Sequence, residues 1–189
     1  MWTELEMIEY LQANLKKTRF EHSLSVRDTA VKLAQLYNED VKKASIAGLI
    51  HDCAKDMNTE LLIQMVESGG HEIDEISKRN PALLHGLASA IIAEEKMGVT
   101  DRDILNSISF HTTGRRAMST LEKIIYLADY IEPLRNFEGV EELRKSSWES
   151  LDKGLLLAFN NTIKYVIFRG ELLHKNTIEA RNYLMNEGL

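Results

Sequence analysis

Apolar residues recur at helical spacing almost from one end of this chain to the other, and this periodicity constrains the fold more than any other feature. One stripe consists of His22, Val26, Ala30, Leu33 and Tyr37. Residues three and four apart share one face of an α-helix, whereas a half-buried strand alternates apolar and polar residues. No segment shows that alternation, so the sequence predicts an all-α bundle.

Helix starts are predicted by a capping pattern in which Ser or Thr is followed three residues later by Glu. Each of the two side chains accepts a hydrogen bond from the other residue's backbone N–H. Three such boxes are Thr3 with Glu6, Thr18 with Glu21, and Ser119 with Glu122. Residues 70–80 are polar and predict a connection between helices.

The length of the chain favours a single domain. It has 189 residues, is 44% hydrophobic and contains only 2 prolines, with no repeat and no Pro/Gly-rich linker. We expect a core over residues 18–135, with C-terminal helices over residues 140–189 packed on it.

Charge and cysteine content limit the partners and the compartment. The net charge of −6 argues against a nucleic acid polymer as partner. The chain has no apolar run of transmembrane length, and the acidic start Met1–Glu4 is not that of a signal peptide. The single Cys53 suits a reducing compartment. We therefore expect a cytoplasmic protein that does not bind membranes, and its exposed helices leave a homodimer open.

Residues with metal-ligand chemistry lie at inward helical positions or at helix ends, far apart in sequence. They are His22, the adjacent pair His51-Asp52, His85, His111 and Asp129. One inward histidine alone would be read as a core residue, but a buried aspartate is costly unless it is paired or bound to a metal. Imidazole with carboxylate suits Mn, Fe, Co, Ni or Zn better than Mg or Ca, so the set predicts a divalent transition-metal site.

Two charged residues follow the His-Asp pair within about one helical turn. Lys55 is expected on the same side as His51 and Asp52, where its ammonium could neutralise a phosphate oxygen or protonate a leaving group. Asp56 could orient a ligand or the attacking water. Asp52, Lys55 and Asp56 are thus candidate catalytic residues, and a solvated lysine paired with a nearby carboxylate is the alternative for Lys55.

The segment after His111 has the composition of an anion site. Thr112–Arg116 contains two hydroxyls, a glycine and two guanidinium groups, and Arg135 follows further along the chain. Surface charge is the alternative for each arginine. His71 is expected in solvent, and for His174 the sequence leaves both a ligand contact and a structural role open.

The order His22, His51-Asp52, Asp129 resembles the signature of the HD-domain metallohydrolases. Longer stretches resemble the YqeK subfamily of these enzymes, namely residues 51–56, 84–86, 110–115, 121–133 and 180–182. The likeness spans residues 18–185. It implies a single HD domain over residues 1–189 and the activity of a bacterial symmetrical diadenosine tetraphosphatase, which hydrolyses Ap4A and related dinucleoside polyphosphates to two ADP, or to GDP-type products.

The resemblance also implies roles for individual residues. The implied ligands of an iron-type metal, with Mn or Co as alternatives, are His22, His51, Asp52 and Asp129. Either one or two ions bind, because His85 and His111 would complete a second site bridged by Asp52 or would contact phosphate. The implied substrate contacts are Lys55, Thr112, Arg115 and Arg135. Glu138 and Lys175-Asn176 stand where relatives are expected to have proline, which puts loop shape and base contacts in question.

Three other functions remain open on the same residues. One is another HD-type nucleotide phosphohydrolase or phosphodiesterase, the second is a di-iron oxygenase, and the third is a catalytically silent nucleotide-binding module. Lys55 and the Thr/Arg segment favour phosphate over dioxygen. Silent modules usually lose ligands, whereas all six are present here.

Overall fold

The structure, a computed structural model, describes residues 1–186, and over these it is helical with no strand. The bundle therefore is all-α. Its helices are α1 Glu4–Asn14, α2 Lys17–Leu36, α3 Val41–Ile50, α4 Thr59–Ser68, α5 Glu75–Arg79, α6 His85–Glu95, α7 Arg102–Ser109, α8 Thr120–Ile131, α9 Val140–Glu149, α10 Leu151–Phe168 and α11 Lys175–Asn186. A short 3₁₀ helix, Pro81–Leu84, leads directly into α6.

Two of the three predicted capping boxes begin helices as expected. Thr3 caps α1 and Ser119 caps α8, each with the reciprocal glutamate contact. The box at Thr18 is wrong, because α2 begins at Lys17 with Lys16 as a cap that makes no side-chain hydrogen bond. The Asp56 carboxylate accepts from the Lys16 backbone N–H at 2.8 Å, so a distant residue determines where this helix begins.

The prediction of a polar connection over residues 70–80 is wrong in part, because this segment contains the short helix α5. The Asp74 carboxylate caps α5 by accepting from the backbone N–H groups of Ile76 and Ser77. A five-residue helix carries too little periodicity to be read from sequence, so only its cap could have indicated it.

The core lies where α2, α3, α7 and α8 meet. Its fully buried residues include Leu33, Ile50, Ile108, Leu121 and Ile125. Helix α3 approaches α2 closely at Gly48, where an added Cβ would lie 2.9 Å from the Arg27 Cα. This close packing brings the carboxyl end of α3, which carries the His-Asp pair, against the middle of α2.

The C-terminal helices extend the bundle. Helix α10 packs against α8 and α9, and α11 packs on α10. The predicted boundaries of a core at 18–135 and C-terminal helices at 140–189 stay a prediction. Among residues 1–186, no helix combines the length and apolar character needed to cross a membrane.

Candidate active site

Six predicted ligand residues come together at one buried point, which we call the His/Asp cluster. It consists of His22 on α2, His51 and Asp52 at the end of α3, His85 at the start of α6, His111 just after α7, and Asp129 on α8. Five of the six are buried, and the Asp129 side chain is 19% exposed. Side chains separated by more than a hundred residues thus share one site.

Each histidine of the cluster has its Nδ1 atom engaged on the outer side. His51, His85 and His111 place Nδ1 against the backbone carbonyl oxygen three residues earlier, and for His51 the distance to Gly48 O is 2.8 Å. A carbonyl oxygen only accepts, so Nδ1 carries the proton and donates it. In a neutral imidazole, Nε2 is then left with a free lone pair, which in all three residues faces the cluster.

His22 uses a carboxylate instead of a carbonyl. Its Nδ1 lies 3.0 Å from Oε1 of Glu132, which is 1% exposed and also accepts from the Ser25 hydroxyl at 2.6 Å. A carboxylate behind an imidazole fixes the tautomer and raises the basicity of the other ring nitrogen. Glu132 therefore orients His22 Nε2 toward the cluster.

The Asp52 carboxylate lies between two pairs of histidines. Its Oδ1 is 3.0 Å from His85 Nε2 and 3.4 Å from His111 Nε2. Its Oδ2 is 3.5 Å from His51 Nε2 and 3.9 Å from His22 Nε2. One oxygen thus faces each pair, which is the arrangement a carboxylate needs to contact two ions.

Asp129 closes the side of the cluster that faces His22. Its Oδ1 lies 2.9 Å from His22 Nε2 and 3.8 Å from His51 Nε2. The Arg135 guanidinium pairs with the same carboxylate and donates to the Asp129 backbone carbonyl at 2.7 Å. The Asp129 Oδ1 therefore contacts both a cation supplied by the chain and the imidazoles of the cluster.

Burial favours the neutral form of His51 and of His85, whereas both aspartates are ionised. Complete burial lowers the pKa of His51 to about 3, and burial also lowers the pKa of His85. Burial alone would raise the pKa of Asp52 and of Asp129. Both pKa values nevertheless lie well below the usual range, because a proton entering the cluster is held by a neighbouring imidazole, His51 first for Asp52 and His22 first for Asp129, in preference to the carboxylate, and Arg135 adds its charge beside Asp129. Neutral imidazole with carboxylate is the protonation state that binds metals.

The cluster has the properties of a cation site. Three buried atoms, His22 Nε2, His51 Nε2 and Asp52 Oδ1, have no hydrogen-bond partner among residues 1–186. His85 Nε2 and His111 Nε2 are 3.0 Å apart although neither bears the proton. Facing lone pairs and carboxylate oxygens repel one another unless a cation lies between them. The donor set therefore fits a divalent transition metal.

A lysine and a threonine border the cluster on the side of His85. Lys55 Nζ lies 3.2 Å from His85 Nε2, and its predicted catalytic role stays a prediction. The Thr112 hydroxyl lies 3.2 Å from the same nitrogen and 3.3 Å from His111 Nε2. Both groups can donate to an anion placed over this pair of histidines.

Two residues that sequence reasoning missed also belong to the site. One is Glu132, described above, and the other is Arg19, which donates to Asp52 Oδ2 at 2.7 Å. Arg19 and Arg135 line a cavity of about 310 Å³ beside His22. Glu132 lies three residues after Asp129, so helical spacing could have placed it near the cluster, whereas Arg19 carried no such signal.

Four other candidates lie elsewhere or are engaged. Asp56 contacts Lys16, and Arg115 donates to the buried Glu122 at 2.6 Å while its guanidinium lies over Phe110. His71 is exposed, as expected. His174 is buried and lies 3.3 Å from the Asp74 carboxylate, in a structural contact away from the cluster.

Comparison with known proteins gives one family and several near-complete relatives. A family model described as "HD domain" matches residues 19–134. A protein of Halalkalibacterium halodurans named symmetrical bis(5'-nucleosyl)-tetraphosphatase is 36% identical over 95% of this chain and 96% of its own length. A Bacillus subtilis protein of the same name is 35% identical over 96% of this chain and 97% of its own.

A solved structure is also similar over almost its whole length. The crystal structure of a Clostridium acetobutylicum protein, described as a predicted HD superfamily hydrolase involved in NAD metabolism, superposes with a TM-score of 0.97. It is 56% identical, and the match covers 99% of each chain.

Proposed function

Since the chain belongs to the HD domain family, and within it to the symmetrical bis(5'-nucleosyl)-tetraphosphatases, we propose that it hydrolyses diadenosine tetraphosphate and related dinucleoside polyphosphates at the central phosphoanhydride bond. The products would be two molecules of ADP. The observation that carries the proposal is the convergence of four imidazole nitrogens and two ionised carboxylates beside Lys55. This site suits a metal, and its border suits phosphate.

We propose that His22, His51, Asp52 and Asp129 hold one divalent metal, with iron first and Mn or Co as alternatives. His85 and His111 would hold a second ion, with Asp52 shared, or would contact phosphate. The separate orientation of the two Asp52 oxygens supports the shared role. When bound, such a metal lowers the pKa of a coordinated water toward neutrality and offsets charge on a phosphoryl oxygen.

The side chains around the cluster have their own part in the proposed reaction. Lys55 is placed to offset the negative charge that develops on the departing ADP, because its ammonium borders the cluster beside His85. The Thr112 hydroxyl can donate to the same phosphate. Asp52, kept ionised, presents one oxygen to His85 and His111 and the other to His22 and His51.

Two arginines are proposed to guide the phosphate chain. Arg19 and Arg135 line the cavity beside His22, so a polyphosphate entering there meets two guanidinium groups before it reaches the cluster. The role of Arg115 as a phosphate contact and that of Asp56 as a catalytic group stay predictions, since both side chains have other partners.

Product analysis by chromatography tests the proposed function. The purified protein would be incubated without oxygen with Ap4A and, in turn, Fe(II), Mn(II), Co(II) or Mg(II). We expect ADP as the only product, formed with a transition metal and lost on addition of a chelator.

Other results would overturn specific parts of the proposal. Formation of AMP with ATP would retain the metallohydrolase but reject the cleavage position. Turnover only in the presence of dioxygen would indicate an oxygenase. Absence of product with every metal would reject Ap4A as the substrate.

The remaining expectations concern the setting of the reaction. We propose a cytoplasmic location and ADP or GDP-type products. A homodimer stays a prediction. These proposals rest on the proposed function and on the soluble composition of the chain.

A further inference from the structure

A second cavity, of about 790 Å³, opens beside the cluster between α8, the loop 132–139 and α10. Its lining includes Asp129, a residue of the His/Asp cluster, and Arg135, which pairs with Asp129. The volume lies within the range of about 300–1,000 Å³ that small-molecule sites occupy. A ligand in this cavity can therefore reach the cluster without crossing other parts of the protein.

Three aromatic rings line this cavity. They are Tyr130, Phe137 and Tyr165. Tyr130 is already packed, because it stacks on Tyr126 and meets the edge of Phe137, with ring centroids 5.6 Å apart. Tyr165 is 60% exposed and contacts no other ring among residues 1–186. The open face of Tyr165 is a surface on which a planar base can stack.

Polar groups of this cavity have no partner among the residues that the structure describes. The Asn161 amide, the Glu138 carboxylate and the Lys164 ammonium make no hydrogen bond or ion pair within residues 1–186. An asparagine amide can donate to and accept from the edge of a purine, and a carboxylate accepts from an exocyclic amino group. A lysine attracts phosphate.

We propose that this cavity binds the purine base and ribose of one nucleoside of the substrate. Tyr165 would stack on the base, Asn161 and Glu138 would contact its edge, and the phosphate chain would run past Arg135 to the cluster. This inference rests on the proposed function, and it assigns to α10 a part in substrate binding that the sequence did not indicate.

Calorimetric binding of ADP and of inorganic diphosphate to the Mn(II)-loaded protein tests the proposal. We expect the wild-type protein to bind ADP at least about 5-fold more tightly than diphosphate, since a base stacked on an aromatic ring stabilises the complex by about that factor or more. Tyr165→Ala and Asn161→Ala should each weaken ADP binding, Tyr165→Ala by about 5- to 100-fold, and should leave diphosphate binding unchanged. Tyr165→Phe, which retains the ring, should restore ADP binding.

Phe168→Ala is the matched control on the same helix. Phe168 is 87% exposed and is not part of the cavity lining, so its loss should change neither affinity. Equal binding of ADP and diphosphate by the wild-type protein, or equal ADP binding by Tyr165→Ala and Phe168→Ala, would overturn the proposal.

Ap4A turnover separates this inference from the proposed function. If Ap4A is hydrolysed to ADP but Tyr165→Ala leaves KM and ADP affinity unchanged, the cavity is rejected and the function stands. If ADP binding depends on Tyr165 but Ap4A is not cleaved, the nucleoside site stands and the proposed reaction is rejected.

Discussion

Glu132 lies outside the His/Asp cluster and supports one of its histidines. It is buried, it accepts from His22 Nδ1 and the Ser25 hydroxyl, and it also accepts from the Leu134 backbone N–H at 2.6 Å. Removing a carboxylate from water costs free energy, which its hydrogen bonds offset. A buried carboxylate in this position orients the imidazole beside it. The carboxylate therefore holds both the ring of His22 and the start of the loop that follows α8.

Replacing this carboxylate by an amide should weaken metal binding. In Glu132→Gln the side-chain shape is kept, but the charge that polarises His22 is lost, so we expect the dissociation constant for Mn(II) to rise by about 10- to 100-fold. Metal titration by calorimetry measures it. Glu9→Gln, on the exposed face of α1, is the control and should bind metal like the wild-type protein. Equal affinity for Glu132→Gln would show that His22 needs no such partner.

Asp52 should matter for both metal and activity, because its two oxygens face both pairs of histidines. In Asp52→Ala we expect loss of bound metal, measured by elemental analysis, and loss of Ap4A hydrolysis by at least about 100-fold. Asp28→Ala changes an exposed carboxylate on α2 and should keep both. A variant at Asp52 that retained metal and activity would contradict the proposed mechanism.

At the scale of the helices, the close approach of α10 to α9 holds the C-terminal part of the bundle. A Cβ added at Gly154 would lie 2.5 Å from the Ser147 Oγ and 2.7 Å from the Ser147 Cα. Both residues are buried. The Ser147 Cα belongs to the backbone of α9, so it cannot move without displacing that helix. Helix α10 also carries Asn161 and Tyr165, so its position affects the second cavity.

Gly154→Ala should therefore destabilise the protein although alanine is the better helix former. Forcing an extra methyl into a packed contact costs about 1–3 kcal/mol, and contact with a backbone atom places Gly154 at the upper end of this range. Helix propensity returns only about 1 kcal/mol. Urea denaturation measures the free energy of unfolding. Lys153→Ala, the exposed neighbour on α10, should change it by less than about 0.5 kcal/mol. A more stable Gly154→Ala would show that the two helices can separate at no cost.

For the molecule as a whole, the groups that form the site also set its stability. Four imidazoles and two carboxylates are held together in the folded protein, whereas in the unfolded chain each of them is in water. Burial lowers the pKa of His51 from 6.5 to about 3. Between these two values the unfolded chain binds a proton that the folded protein does not, so folding loses stability as the pH falls below 6.5.

The metal-free protein should consequently be less stable at pH 5.5 than at pH 7.5. His51 alone contributes a slope of up to about 1.4 kcal/mol per pH unit below its unfolded pKa. The lowered pKa values of Asp52 and Asp129 act in the same direction at still lower pH. Urea denaturation in the presence of a chelator measures the slope, and His71→Gln, which changes an exposed histidine, should keep it. Equal stability at both pH values would mean that the cluster histidines bind protons in the folded state.

Local information in the chain was sufficient for most of the helices and for the selection of candidate ligand residues. Apolar spacing and the boxes at Thr3 and Ser119 act over a few residues, and so does the placement of Lys55 one turn from the His-Asp pair. Residue chemistry alone selected His22, His85, His111 and Asp129 as candidate ligands. Their roles as ligands stay a proposal, but their convergence agrees with the prediction made from type and spacing.

Long-range packing decided the rest, because those features depend on partners that no local pattern names. Lys16 caps α2 without a side-chain hydrogen bond, and Asp56, forty residues later, accepts from its backbone N–H. Arg19 reaches Asp52 across the α2–α3 contact, and Arg115 is engaged by the buried Glu122. The direction of each imidazole follows from the carbonyl or carboxylate behind it, which exists only once the helices have packed. The sequence by itself determines the type of each side chain. Tertiary contacts decide that the Nε2 lone pairs of the imidazoles are free and that the carboxylates of Asp52 and Asp129 face them.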